Sequence, residues 1–176
     1  WGALHRIRVS PKGEYYLTDI IEIAVKDGLA VQAYQTLDPT EAVGINNRVH
    51  LAEASAILRG RINEAWMLAG VSIMDPATTY IEPDVRIGQD TVIWPNSYLK
   101  GQTVIGAECV IGPNTSLDSC IVGDRCTLLE SVLEKSIVED DVHMGPYAHL
   151  RPNVRIGKGS HIGNFGEIKN SILGQH

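Results

Sequence analysis

A six-residue period running from about Ile81 almost to the C-terminus constrains this chain more than any other feature. Counted in sixes it takes in Ile81, Ile87, Ile93, Leu99, Ile105, Ile111 and Leu117 and, after a slip in register, Val138, Met144, Leu150, Ile156, Ile162 and Ile168. Neither an α-helix nor an ordinary sheet repeats in this way. The branched apolar residue is often followed by Gly, and a small residue sits four places on: Thr91, Ser97, Thr103, Cys109, Thr115, Ala148, Ser160 and Gly166. This pattern predicts a parallel β-helix in which each hexapeptide is a short strand and a turn. Three hexapeptides make one triangular coil, and coils stack at about 4.8 Å. Residues eighteen apart in sequence should therefore be neighbours. The slip between Leu117 and Val138 adds three residues beyond whole hexapeptides, which predicts a loop or bulge there. The open ends of such a coil carry unpaired backbone groups that must be covered or continued.

The chain has 176 residues, 44% of them hydrophobic, and a net charge of −6. That is enough for one moderate core or two small ones, and it gives no bias toward nucleic acid as a partner. No apolar run is long enough to span a bilayer, and Trp1-Gly2-Ala3-Leu4 lacks a signal-peptide layout. A cytoplasmic protein without membrane insertion is expected. The three cysteines, Cys109, Cys120 and Cys126, have no metal-ligand spacing and read as structural, reduced thiols.

Before the repeat the pattern changes. Thr18 is placed to cap an amphipathic helix with Ile20, Ile21, Ile23 and Ala24 inward, a Glu22–Lys26 pair outward and Gly28 as its stop. Ala30 to Thr36 alternates loosely and predicts a strand, closed by the turn at Asp38-Pro39. Asn47 caps a second predicted helix, with Leu51, Leu58, Ile62, Ala65 and Ala69 on one stripe and Arg59, Arg61 and Glu64 in solvent. Residues 1–47 thus read as an α/β piece too small to hold its own core, 48–70 as a linking helix and 71–176 as the repeat domain.

Arg151 and Lys169 are eighteen apart, and each follows the inward residue of its hexapeptide. They should project from one face on adjacent coils. Like charges opposite each other across a ladder are destabilising. A bound anion would relieve them, with Arg offering a two-pronged fork and Lys a point charge. The alternative is that the two side chains splay into solvent or pair with Glu167. The same spacing stacks His149 with Glu167, as an acid–base pair or plain surface, and His143 with His161, for which no third metal ligand is evident.

Four segments carry a resemblance: Gly13-Glu14-Tyr15-Tyr16-Leu17-Thr18-Asp19-Ile20-Ile21, Gly44-Ile45-Asn46-Asn47-Arg48, Leu150-Arg151-Pro152 and Gly163-Asn164-Phe165-Gly166-Glu167-Ile168-Lys169. Together they resemble the bacterial bifunctional N-acetylglucosamine-1-phosphate uridyltransferase/glucosamine-1-phosphate acetyltransferase family. The resemblance implies a mainly β fold, a left-handed parallel β-helix preceded by the end of an α/β uridyltransferase domain and a linking helix. It implies acetyl transfer from acetyl-CoA to glucosamine-1-phosphate, then uridylyl transfer from UTP with Mg²⁺, in a homotrimer joined through the β-helix. Position by position, Arg151 and Lys169 resemble the residues that grip the sugar phosphate. Asn46 resembles the asparagine that holds Mg²⁺ and the nucleotide-sugar phosphates. Tyr16 and Thr18 resemble residues lining the sugar pocket, with a buried tyrosine and a helix cap as their bland alternatives. The family's magnesium-binding aspartate and catalytic histidine have no counterparts here, and His176 is too early for the histidine's place. The expectation is an internal piece of the enzyme with half of each site. A non-catalytic scaffold or trimerisation module is the alternative.

Overall fold

A computed structural model describes residues 1–175. The chain divides into two compact units, Trp1–Val43 and a second beginning at Gly44.

The first unit holds one helix, α1 (Asp19–Lys26), and short 3-10 turns at Leu4–Arg6 and Pro39–Ala42. Gly28, at a φ of 72°, ends the helix in the left-handed conformation, and Leu29 N–H returns to the Ala24 carbonyl at 3.0 Å. The Glu22–Lys26 pair forms as expected. The expected strand over 30–36 does not: this stretch joins no ladder among the described residues, and an alternating run without a neighbouring strand cannot close one. No strand precedes Ser72, so residues 1–47 show no β part of an α/β arrangement.

The second unit opens with α2 (Arg48–Leu68), capped by the Asn47 side chain, whose oxygen accepts from His50 N–H at 2.9 Å. Eighteen short strands follow, β1 (Ser72–Ile73) to β18 (Ile172–Leu173), sorted into three parallel sheets of six. They form a left-handed β-helix, an exception to the usual right-handed crossover. The inward residues named from the period line the core from Ile81 to Ile162, and Ile168 packs against it half-buried. The small residues beside them let the chain turn while tying the corner down. Buried Thr91, for example, donates to the Gly106 carbonyl one coil on at 2.9 Å. Gly follows Ile87, Ile105 and Val122 because coils approach too closely there: a Cβ on Gly88 would meet Ala107 N at 2.5 Å.

The expected loop between Leu117 and Val138 is absent. Three further inward residues, Val122, Leu128 and Leu133, divide that interval into steps of five, six, five and five. Three corners are simply one residue shorter, so that Ile121 pairs with Ile137 and Thr127 with Val110. Ser119, Glu130 and Lys135 make these shortened corners in the left-handed region, at φ of 54°, 45° and 42°.

Helix α2 packs on the first coil and covers that end of the prism. Its inward face is not the expected stripe. Leu51 and Leu58 are exposed, while Ile62 and Trp66 pack on the core and Asn63 is fully buried. The Asn63 amide donates to the Pro76 and Thr79 carbonyls at 3.0 and 3.1 Å, pairing backbone that the coil end leaves open. The three cysteines are free and buried, and burial pushes the Cys120 thiol up from its ordinary pKa.

Candidate functional site

The strongest grouping of chemistry-bearing side chains lies on one face of the late coils. Here β11 (Val132–Glu134), β14 (His149–Leu150) and β17 (Glu167–Ile168) lie side by side in one sheet. His149 is in register with Glu167 and Leu150 with Ile168, and Arg151 N–H donates to the Ile168 carbonyl at 2.9 Å. Arg151 and Lys169 therefore leave the strands at the same point on consecutive coils, as the spacing required. Arg151 Nη1 donates to Glu167 Oε1 at 3.3 Å, so the pairing with Glu167 is made by one of the two cations. Lys169 is exposed and has no carboxylate partner among the described residues.

His149 stands close to the Glu134 carboxylate and in register with Glu167 on the next coil. Its Nε2 is 3.8 Å from Glu134 Oε2, is buried as an atom and has no hydrogen-bond partner. The face thus carries two cations, two carboxylates and an imidazole. Such a set exchanges an internal carboxylate for an incoming anion at modest cost, because Arg151 is already solvent-accessible and aimed. Next to it stand Tyr147 and Phe165, whose rings stack with centroids 5.3 Å apart, both exposed and both at positive φ. Glu130 holds the Tyr147 hydroxyl above its ordinary pKa by a hydrogen bond and by its charge. Sequence reasoning missed this pair, although the two residues are eighteen apart and share a hexapeptide position.

His143 and His161 are in register and exposed. Among the described residues no group of three His, Cys, Asp or Glu side chains could hold a metal.

The remaining predicted site residues lie elsewhere. Tyr16 and Thr18 belong to the first unit and Asn46 to the second. Tyr16 is 40% exposed and its hydroxyl donates to Glu14 Oε2 at 2.9 Å, so it is not a buried tyrosine. Thr18 occupies the N-cap place of α1 but makes no side-chain cap, because its φ of −59° and ψ of −22° are already helical. A cavity of 590 Å³ in this unit, lined by Arg6, Arg8, Asp19, Glu22 and Lys26 among others, includes neither residue. Asn46 is exposed, and its backbone N–H donates to His50 Nδ1 at 3.4 Å. One neutral amide oxygen does not make a Mg²⁺ site, since that ion takes octahedral oxygen ligands that include carboxylates or phosphates. The residues present do not fit the metal by themselves. His176 lies outside the described residues. No helix among the described residues is long and apolar enough to cross a membrane.

The family described as bacterial transferase hexapeptide (six repeats) matches residues 84–118 and 135–170. The chain is 48% identical over 93% of its length to the bifunctional protein GlmU of Geobacillus sp., covering 36% of that protein. It is 49% identical over 92% of its length to the same-named protein of Enterococcus faecalis, covering 35%. Over its whole length it is 45% identical to that of Lactobacillus delbrueckii subsp. bulgaricus, covering 38%. It therefore spans little more than a third of the relatives it matches. Among solved structures, the acetyltransferase domain of PglB from Neisseria gonorrhoeae aligns with a TM-score of 0.53 at 17% identity, covering 68% of this chain and 63% of that one, a likeness of fold.

Proposed function

Because the chain belongs to the bifunctional GlmU family over the third of those proteins that it spans, we propose that its β-helix serves an acetyltransferase. The reaction moves the acetyl group of acetyl-CoA to the amine of glucosamine-1-phosphate. The register of Arg151 and Lys169 on consecutive coils is the observation that carries this reading. A phosphate dianion outbids the single carboxylate of Glu167 for the Arg151 fork, and Lys169 closes on it as a point charge. Glu167, released, becomes an acceptor for the sugar's hydroxyl or ammonium groups. Both cations act by holding and orienting the sugar; neither takes the proton of the amine.

The same reading gives residues 1–47 to a uridyltransferase that moves the uridylyl group of UTP to N-acetylglucosamine-1-phosphate, with pyrophosphate as the leaving group, Tyr16 and Thr18 against the sugar and Asn46 against the phosphates. The family resemblance of the segments around these residues is its support. It also makes the protein a cytoplasmic homotrimer joined through the β-helix. Val104 and Ile121, in register on consecutive coils and 42% and 52% exposed, are apolar residues of the kind an interface covers.

Calorimetric titration with glucosamine-1-phosphate tests the clamp. Arg151→Ala should weaken binding by about 10- to 100-fold, in line with the loss of charge-assisted hydrogen bonds, and Lys169→Ala by less. Glucosamine without the phosphate should be indifferent to either change. Unaltered affinity for the sugar phosphate in both variants would remove the clamp.

A further inference from the structure

The column of side chains that carries Arg151 and Lys169 does not begin with them. It runs back through Glu134 of β11 and Asp118 of β8 (Ser116–Asp118), which are in register. Leu133, just before Glu134, is in register with Leu150, just before Arg151. Glu134 and Arg151 therefore leave the backbone about 4.8 Å apart, one strand spacing. Both side chains are accessible, at 47% and 43% exposure. The order of charge along these coils is acid, acid, base, base: Asp118, Glu134, Arg151, Lys169. The opposite charges in the middle do not cancel each other. Arg151 turns forward to Glu167 and not back to Glu134. Glu134 has no lysine or arginine partner among the described residues, and the basic group near it, His149 Nε2 at 3.8 Å, is too far for a hydrogen bond. Asp118 accepts from the Ser119 hydroxyl at 2.8 Å, while Lys100 of β5 (Tyr98–Lys100), in register with it, lies over the Tyr98 ring instead.

Two carboxylates in register repel across a ladder as two cations do. The column thus holds an uncompensated negative place directly beside the positive one assigned to the phosphate. Resting on that assignment, we infer that Glu134 determines specificity: it receives the ammonium group of the substrate and selects a 2-amino sugar 1-phosphate over one with a hydroxyl at the same carbon. In such a molecule the amine and the phosphate stand on neighbouring carbons, so their charges are separated by about one strand spacing. An ammonium brings a full charge to its bond with the carboxylate, which a hydroxyl lacks. Asp118 adds charge of the same sign behind Glu134. Glu167 is bonded by Arg151 and has Lys169 two residues on along its own chain, which leaves it to the sugar's hydroxyls. The role of Glu134 is recognition, since the nitrogen must lose its proton before it accepts the acetyl group.

The test is calorimetric titration of the whole chain with glucosamine-1-phosphate and glucose-1-phosphate, which differ only in the group on that carbon. The wild type should bind the amino sugar about 10-fold more tightly, the scale of one hydrogen bond between charged groups. Glu134→Gln should erase the preference by weakening the amino sugar alone, and Glu134→Asp should retain part of it. Arg151→Ala should weaken both sugars alike. Circular dichroism melting checks that the variants stay folded. Equal binding of the two sugars by the wild type would overturn the inference. So would a preference that survives Glu134→Gln while Arg151→Ala weakens both sugars, or one that Glu167→Gln removes in its place. Arg151→Ala without effect on either sugar would remove the phosphate clamp and this inference with it, so the two failures are told apart.

Discussion

Helix α1 and the inward ladder of the coils are both rows of isoleucine, and they end in different surroundings. Ile93, Ile111 and Ile156 are completely buried, whereas Ile21 of α1 is 55% exposed and no residue of that helix is buried. Side-chain pattern is enough to select a helix or a coil, but burial needs a partner surface. The β-helix supplies its own partner every turn, so each coil is roofed by the next. A single helix of two turns has nothing comparable, and in water a helix that short is marginal. Residues 1–43 therefore hold their shape by local contacts such as the Arg6–Asp27 pair, and the coils hold theirs by a continuous core.

Core truncation should separate the two regions most. Leu128→Ala opens a cavity in a fully buried site and should cost about 2–5 kcal/mol in urea unfolding, while Ile21→Ala should cost less than about 0.5 kcal/mol. Equal losses would mean that α1 is buried in solution and would break the comparison. Helix caps should separate them less. Asn47→Ala removes a made cap and should cost about 1 kcal/mol in the same measurement, whereas Thr18→Ala removes none and should be close to neutral.

Surface ion pairs should scarcely separate them at all. A hydrogen bond from Arg155 holds Glu139 below the usual carboxylate range, and one from Arg6 does the same for Asp27 in the first unit. A carboxylate whose folded pKa is depressed contributes stability above its unfolded value, near pH 4, and loses it as pH falls through the folded value. Melting temperature should therefore drop slightly below about pH 4, and Arg155→Gln should blunt that drop. A loss of stability on raising the pH through the same range would contradict the sign.

The sequence made the ladder legible because inward residues recur at a fixed step, and every one named from Ile81 to Ile162 is in the core. It hid the shortened corners, because a five-residue step changes only a turn while Val122, Leu128 and Leu133 still point inward. The buried Asn63 was hidden for another reason: its worth lies in the Pro76 and Thr79 carbonyls, which no helical stripe reveals. At the candidate site, the alignment of Arg151 with Lys169 followed from counting by eighteen. The choice of Glu167 by Arg151 alone did not, since it depends on side-chain reach. The Ala30–Thr36 strand failed because alternation describes a face but supplies no neighbour.

The most direct measurement is hydrogen exchange of the whole chain with and without glucosamine-1-phosphate, read segment by segment. Amides of the coils should be protected and those of residues 1–43 nearly unprotected. The sugar phosphate should add protection over β14 and β17, around Arg151 and Lys169, and change nothing in the first unit. Protection in residues 1–43 equal to that of the coils, or a ligand response that bypasses β14 and β17, would contradict the account.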